Sequence, residues 1–540
     1  MELLMKRVTE KLLKKATERL LKTAAEILVI SAALLLFGAA GLTVRAAEQI
    51  RVILQNQQVQ VLCGDQELYV SDPDWTVQDT LLADFDRDGK KELALLVLKK
   101  GSFGKYRPFW VEEDSDELSQ HIFIYRFTER DGRQDLRPAW MSSALTMSVK
   151  SWNFDHDRHT LVITEPDGTR SAWRWEYFGL KEAPLPDAEA DQGAEDAQEA
   201  QSDGSNRLTV LAAGDVIAHS QILQIGKKQG GNYDFLFRGL ADIVDSADLA
   251  IVNQETPLVL NGNISGRPPF GSPPELADAY AHAGFDVVTC ATNHMLDRGL
   301  QGVLDTAEVL DRAGLQYAGI HDLQKPEDRT PSDYVLTEAA GFRTALLNYT
   351  QMTNGQPLPE EAPRCVETLS DEKTVREQLR SAREAAELVI VCVHWGTEYS
   401  ADEDDFQKHW AGIFLEEGVD LVIGTHPHVL QPAALYMDMN GHVMPVFYSL
   451  GNLVSAQDAP ERILGGLAGV TWERDENGAP LLAGYELLPV ITHQESGDYS
   501  ARLPEDYTEE LAARHRLGIT KKQLEELWEK SQMRWTNPGN

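Results

Sequence analysis

The sequence predicts an α/β domain over residues 207–495, with a mostly β segment ahead of it at 50–180. Three observations carry this. From Arg207 onward, short and nearly continuous apolar runs alternate with helical patterns, as expected for strands buried on both faces by helices. Earlier segments such as HIFIYRFTER, HTLVITEPDG and SAWRWEYFGL alternate instead, with aromatic residues and turn signals between them. Between the two lies 181–206, with eight acids, one Lys and no aromatic residue. Such a segment cannot bury enough apolar surface to order itself, so it reads as a flexible acidic linker and a domain boundary. Residues 496–540 read as a charged helical tail.

The strand candidates of the α/β domain are LTVLAAG, ADLAIVN, FDVVTCA, TALLNYT, ELVIVCVHW, VDLVIGT and MPVFYSL. The helices between them are PPELADAYAHAG, LQGVLDTAEVLDRAG, EKTVREQLRSAREAAE and DFQKHWAGIFLEEG. A chain of 540 residues exceeds one core and implies two or three domains. The net charge of −35 argues against nucleic-acid binding, which needs a basic face. An anionic substrate would need local attraction, most simply from bound cations. The four cysteines, Cys63, Cys290, Cys365 and Cys392, show no C-x-x-C spacing and do not form a disulfide framework.

Residues 27–44 are an uncharged run of 18 residues, preceded over 1–22 by seven Lys/Arg against three Glu. The run is about long enough to span a hydrocarbon core. The charge bias places the N-terminus in the cytoplasm and the rest of the chain outside. Segment 1–46 is therefore expected to be a basic segment plus a transmembrane anchor. Val44-Arg45-Ala46 also resembles a signal-peptide cleavage site; either reading exports the remainder.

Polar, metal-competent residues recur where the strands of the α/β domain end. Asp215 closes the first, Asn253 and Glu255 the second, Asn293 and His294 follow the third, His394 closes another, and His426 and His428 the next. In open α/β folds ligands gather at the carboxyl ends of strands, so these loops should converge. Singly, each has a structural reading: an Asp after Gly caps a helix, an Asn makes a turn, a His packs. Together they offer carboxylate, imidazole and amide oxygen, which suits two divalent ions of the Mn, Fe or Zn type better than Ca²⁺.

A second acidic motif, DFDRDGKKEL, spans 84–93. The EF-hand is rejected because its twelfth position is Leu95. Asp84, Asp86, Asp88 and Glu92 form either a Ca²⁺ site, similar to the loops of FG-GAP-type β repeats, or an acid-rich turn without metal.

Taken in order, GDVIAH, NQETP, GFDVVTCATNHMLDRG, HWGTEY, GTHPHVLQP and FYSLGN resemble the motifs of the CapA family of capsule poly-γ-glutamate synthesis proteins, a branch of the metallophosphatase-like superfamily. The resemblance covers about 207–455. It implies an αββα sandwich with metal ligands in interstrand loops. It implies Asp215 on one ion, Glu255 bridging, Asn293, His394 and His426 on the second, and His428 reaching back to the first. His294 would be the general acid or transition-state stabiliser. Asn253, Glu398, Ser449 and Asn452 are the expected substrate-side residues. One departure stands out. The superfamily's first motif has a His two residues after its Asp, where this chain has Ile217, and His219 is the nearest alternative.

The expectation is a membrane-anchored, extracytoplasmic metal-dependent hydrolase of capsule or cell-envelope polymer metabolism, acting on an anionic polymer or its precursor. The other reading is a non-catalytic accessory or scaffold subunit of a membrane polymer synthase. In a third, the β segment binds polymer through exposed Trp110, Trp140, Trp152, Trp173 and Trp175, although tryptophans more often pack in cores.

Overall fold

A computed structural model describes residues 50–104, 114–130, 133–176, 179–185, 206–321, 333–475 and 477–532. The expected membrane span at 27–44, most of the acidic linker and Trp110 lie outside these residues. Among the described residues no helix is long and apolar enough to cross a membrane.

The first strands are β1 (Ile50–Gln55), β2 (Gln58–Cys63) and β3 (Gln66–Val70), followed by β4 (Thr76–Ala83), β5 (Glu92–Lys100), β6 (Leu118–Arg130) and β7 (Arg133–Met141). Next come β8 (Ser151–Asp155), β9 (Thr160–Thr164), β10 (Arg170–Glu176) and β11 (Gly179–Ala183). Strands β4 to β7 and β8 to β11 form two four-stranded sheets. These sheets pack face to face through Phe85, Ala94, Ile122, Ile124, Phe154 and Ile163. The opposite face of the first sheet, with Val77, Leu93, Leu95, Phe123 and Tyr125, joins the main core.

The larger part begins with β12 (Arg207–Val216), α1 (Ser220–Lys228), α2 (Ala241–Asp245), β13 (Leu249–Gln254), α3 (Glu275–Ala283), β14 (Val287–Thr289), α4 (Gly299–Ala313) and β15 (Gln316–Ala318). It continues through β16 (Val335–Ala339), β17 (Phe342–Thr350), α5 (Glu372–Ala385), β18 (Leu388–His394), α6 (Asp405–Glu416) and β19 (Leu421–Thr425). The chain then forms β20 (Ala433–Asp438), β21 (Val443–Phe447), β22 (Asn452–Val454), β23 (Leu464–Arg474), β24 (Pro480–Glu495) and β25 (Asp498–Arg502), and ends in α7 (Glu509–Arg514) and α8 (Lys521–Gln532).

Two mixed sheets result. One has the order β15-β14-β13-β12-β23-β24-β25, and the other β16-β17-β18-β19-β21-β20-β1-β2-β3. Pairings among β12 to β15, and from β17 through β18 and β19 to β21, are parallel. Inner faces meet through Val210, Ala212, Ile251 and Val287 on one side and Leu346, Ile390 and Ile423 on the other. Helices α1, α3 and α4 cover the outer face of the first sheet, and α5 and α6 that of the second. The layers are therefore helix, sheet, sheet, helix. Every residue of β18, LVIVCVH, is buried, which explains its unbroken apolar reading. Helix α6 starts on a capping box between Asp404 and Gln407, which satisfies two orphan N–H groups at its N-terminus.

Two expected boundaries are corrected. The segment 50–180 is not separate from the α/β part, because β1 pairs antiparallel with β20, Ile53 opposite Tyr436. Without β1, β20 would expose an unpaired sheet edge. The tail from 496 is not purely helical: β25 pairs with β24, and Tyr507, Ala512, Ile519 and Leu524 enter the main core.

Candidate metal centre

Five parallel strands end at the site: β12, β13 and β14 from one sheet, β18 and β19 from the other. Their carboxyl ends bring together residues that are remote in sequence, as at other α/β clefts. The β12–β13 register shifts between Ala213 and Asp215, and such a bulge re-aims the next side chain. Gly214 permits a close approach there, since a Cβ on it would lie 2.1 Å from the Gly451 carbonyl oxygen. Asp215 N donates to that same oxygen at 3.0 Å.

Asp215 is fully buried. Its Oδ1 accepts from Asn253 Nδ2 at 2.8 Å and its Oδ2 from the His426 backbone N–H at 3.1 Å. His428 Nδ1 is 3.2 Å from Asp215 Oδ2, and His428 Nε2 is 3.6 Å from Glu255 Oε1. Asp215, Glu255 and His428 each offer a ligand atom within 4.8 Å of the others.

The second cluster is tighter. His394 Nε2 lies 3.0 Å from Asn293 Oδ1 and 3.2 Å from His426 Nδ1. His394 Nδ1 contacts Thr425 Oγ1 at 2.9 Å, which fixes the ring. His426 and His428 hold their turn with φ of 98° and 60°, a left-handed backbone unfavourable for a residue with a Cβ. Strain of this kind persists where surrounding structure enforces it, commonly at functional sites.

These residues fit a pair of divalent ions. Glu255 Oε2 is buried without a hydrogen-bond partner among the described residues, although a buried carboxylate oxygen demands a donor or a cation. Two ligands at right angles on one ion, each about 2.1 Å away, stand about 3.0 Å apart, which matches the spacing of Asn293, His394 and His426. Burial, reinforced by neighbouring imidazoles, holds His394 well below the ordinary histidine range. Burial likewise lowers His426 to about 4. Both are therefore neutral, the form that binds metal. Burial opposes a charge on His428, but Glu255 and Asp215 draw it up to about 9. Burial raises Glu255 well above the usual carboxylate range. A cation between these groups would relieve that mismatch.

His294, half-buried beside the cluster, bonds Asp297 Oδ2 through Nδ1 at 3.0 Å. Asp297 also accepts from Phe270 N at 2.7 Å, and the Phe270 ring meets His294 edge-on at 4.9 Å. Asn354 Oδ1 accepts from Asn293 Nδ2 at 3.3 Å, and its Nδ2 lies 3.4 Å from His294 Nδ1. The sequence reading did not assign Asp297 or Asn354. The only local signal for Asp297 was its place three residues after His294.

Three expected substrate-side residues are corrected. Asn253 is buried between Asp215 and Thr289 Oγ1. Ser449 is buried, donates to Val429 O at 2.8 Å and accepts from Gly451 N. Asn452 is buried, with Oδ1 3.1 Å from His428 Nδ1 and Nδ2 donating to Arg462 O. All three position other groups. Glu398 is exposed and within electrostatic reach of Glu255 and His428.

In the 84–93 loop, Asp84, Asp86 and Glu92 come together, whereas Asp88 lies outside that group. Asp84 accepts from the backbone of Asp88 and Gly89, Glu92 from Phe85 N, and Arg126 bonds both Asp86 and Glu92. Arg126 thus supplies positive charge where Ca²⁺ was one expectation. Of the five tryptophans, the four described, Trp140, Trp152, Trp173 and Trp175, pack against the small core, and Trp152 Nε1 donates to Asp79.

Residues 209–457 match the family model described as bacterial capsule synthesis protein PGA_cap. This stretch is similar to the PGA_cap family. The capsule biosynthesis protein CapA of Bacillus anthracis is 28% identical over 263 residues, 47% of this chain and 61% of that protein. The PGA biosynthesis protein CapA of Bacillus subtilis is 26% identical over 292 residues, 53% of this chain and 72% of that one. Among solved structures, a proposed 5′-nucleotidase from Staphylococcus aureus aligns with a TM-score of 0.36 and 16% identity, over 53% of this chain and 55% of that one. Asp215, Glu255, Asn293, His394, His426 and His428 all fall within the matched stretch, and the two four-stranded sheets before it, with the 84–93 loop, lie outside the match.

Proposed function

We propose that the PGA_cap-like stretch is a two-metal hydrolase acting on an anionic capsule or cell-envelope polymer, such as poly-γ-glutamate, or on its precursor. The observation that carries this is the convergence of Asn293 Oδ1, His394 Nε2 and His426 Nδ1 at 3.0–3.2 Å, beside the unpartnered Glu255 Oε2. Asp215, Glu255 and His428 would hold one ion, and Asn293, His394 and His426, with Glu255 shared, the other. When bound, the pair supplies Lewis acidity and lowers the pKa of water. His294 is placed to give or take a proton at Nε2, because Nδ1 is committed to Asp297, and such positioned groups contribute to cleavage of ester and amide bonds. The long N-terminal apolar run supports an exported, membrane-anchored location, with main domains outside.

A second reading, an accessory subunit of a polymer synthase that keeps the centre for structure, is favoured by one observation: Ile217 stands where a further ligand is expected, and it is buried. The test is hydrolysis of a phosphomonoester, a phosphodiester and a γ-glutamyl amide by the metal-loaded chain, compared with His426→Ala. Metal-dependent turnover of one class, lost in the variant, supports the hydrolase and names its bond. Two bound metals without turnover on any class would favour the accessory role.

A further inference from the structure

Resting on that reading of the site, we propose that His219 is a fixed hydrogen-bond donor to a substrate oxyanion and not the replacement metal ligand for Ile217. His219 lies at the N-terminus of α1, four residues after Asp215. Its Nδ1 accepts a hydrogen bond from the Ala456 backbone N–H at 3.2 Å. An amide N–H can only donate, so this Nδ1 carries a bare lone pair. In a neutral imidazole the proton then resides on Nε2. A nitrogen bearing a proton offers no lone pair to a metal, but it is an oriented donor.

The surroundings keep the ring neutral and aimed. Burial, with the neighbouring imidazoles of His428 and His294, lowers His219 to about 4, against a smaller opposing effect of the Ile217 carbonyl. The ring meets Phe270 edge-on at 5.8 Å, and Phe270 meets His294 edge-on at 4.9 Å. Phe270 is thus an apolar ring in contact with both His219 and His294. Ala456 follows β22, whose Asn452 positions His428, so one segment fixes both His219 and His428. Nε2, the nitrogen opposite the anchored one, is the ring atom left to donate. Preorganised donors aimed at developing negative charge are a strong source of transition-state stabilisation. A neutral donor there also favours an oxyanion in a chain of net charge −35 without adding an ionisable cation.

The test uses the full chain loaded with Mn²⁺, with inorganic phosphate as the probe anion. His219→Ala should keep the metal stoichiometry of the wild type and weaken phosphate binding by about tenfold, as expected for loss of one hydrogen bond to a charged group. His219→Gln, which can place an N–H near the same point, should recover most of that loss. In the metal-free protein, nitrogen NMR should find His219 protonated on Nε2 at neutral pH. Loss of one metal equivalent in His219→Ala would overturn the proposal and make His219 a ligand. Unchanged phosphate affinity in that variant, or a ring protonated on Nδ1, would overturn it equally. A wild-type chain that binds no metal would instead count against the two-metal reading, a separate result.

Discussion

His394 Nε2 stands 3.0 Å from Asn293 Oδ1, although the two residues are 101 positions apart and their strands belong to different sheets. The contact joins the carboxyl ends of the two sheets at one point. His426 Nδ1 reaches the same nitrogen at 3.2 Å. His394 Nε2 is thus within hydrogen-bond reach of both groups, a spacing that ligands of one proposed ion would share.

Removing one of these ligands should empty one site and spare the fold. His394→Ala is expected to lose about one of two metal equivalents, measured by elemental analysis, with secondary structure unchanged by circular dichroism. Retention of both ions in this variant would show that His394 is not a ligand.

Asn452 touches no proposed ion but fixes His428 through Oδ1. Such supporting partners typically contribute about 10–100-fold to metal affinity. Asn452→Ala should weaken the more loosely bound ion by that factor in a chelator competition, and Asn452→Asp, which keeps the acceptor, should weaken it less.

His294 and Asp297 should separate chemistry from metal binding. His294→Ala is expected to lower kcat by on the order of 10²-fold or more with both ions retained. Asp297→Asn, which disturbs the ring's orientation, should lower kcat less and likewise leave metal content alone. A drop in metal content in either variant would move His294 into the ligand set.

Gly424 marks the closest approach of β19 to the chain after β21, and a Cβ there would lie 2.0 Å from the Tyr448 carbonyl oxygen. Backbone cannot yield as a flexible side chain can. Gly424→Ala should destabilise by about 3 kcal/mol or more, read as a lowered thermal midpoint, and should disturb the adjoining His426 turn.

Acid sensitivity should come partly from His515, buried beside the β24–β25 hairpin with Nε2 3.3 Å from Thr492 O. Burial, then His493 and Arg516, push it down to about 4. Between about pH 6.5, where a free histidine titrates, and this lower value, the unfolded chain binds a proton that the folded chain does not. Stability therefore rises with pH across this window and falls on acidification. His515→Gln should flatten the thermal midpoint between pH 6.5 and 4. An unchanged pH profile would show that His515 does not carry the effect.

The strand and helix pattern from Arg207 was legible because parallel strands buried on both faces leave unbroken apolar runs, as LVIVCVH in β18 does. The convergence of Asp215, Glu255, Asn293, His394, His426 and His428 was legible because they stand at or just after strand ends. The positions of β1 to β3 were not, since an alternating strand says which face is buried but not which sheet it joins. The roles of Asn253, Ser449 and Asn452 were also hidden. A buried Asn that holds a ligand and an open Asn that holds substrate look alike in sequence, and only their hydrogen bonds separate them.

Two ions are proposed to sit between Asp215, Glu255 and His428 on one side and Asn293, His394 and His426 on the other. The most direct measurement is a crystal structure of the Mn²⁺-loaded chain with anomalous scattering recorded at the metal edge. The account predicts two anomalous peaks about 3.5–4 Å apart, one contacting Asp215 and His428, the other Asn293, His394 and His426, with Glu255 between them. A single peak, or none within reach of Glu255, would contradict it.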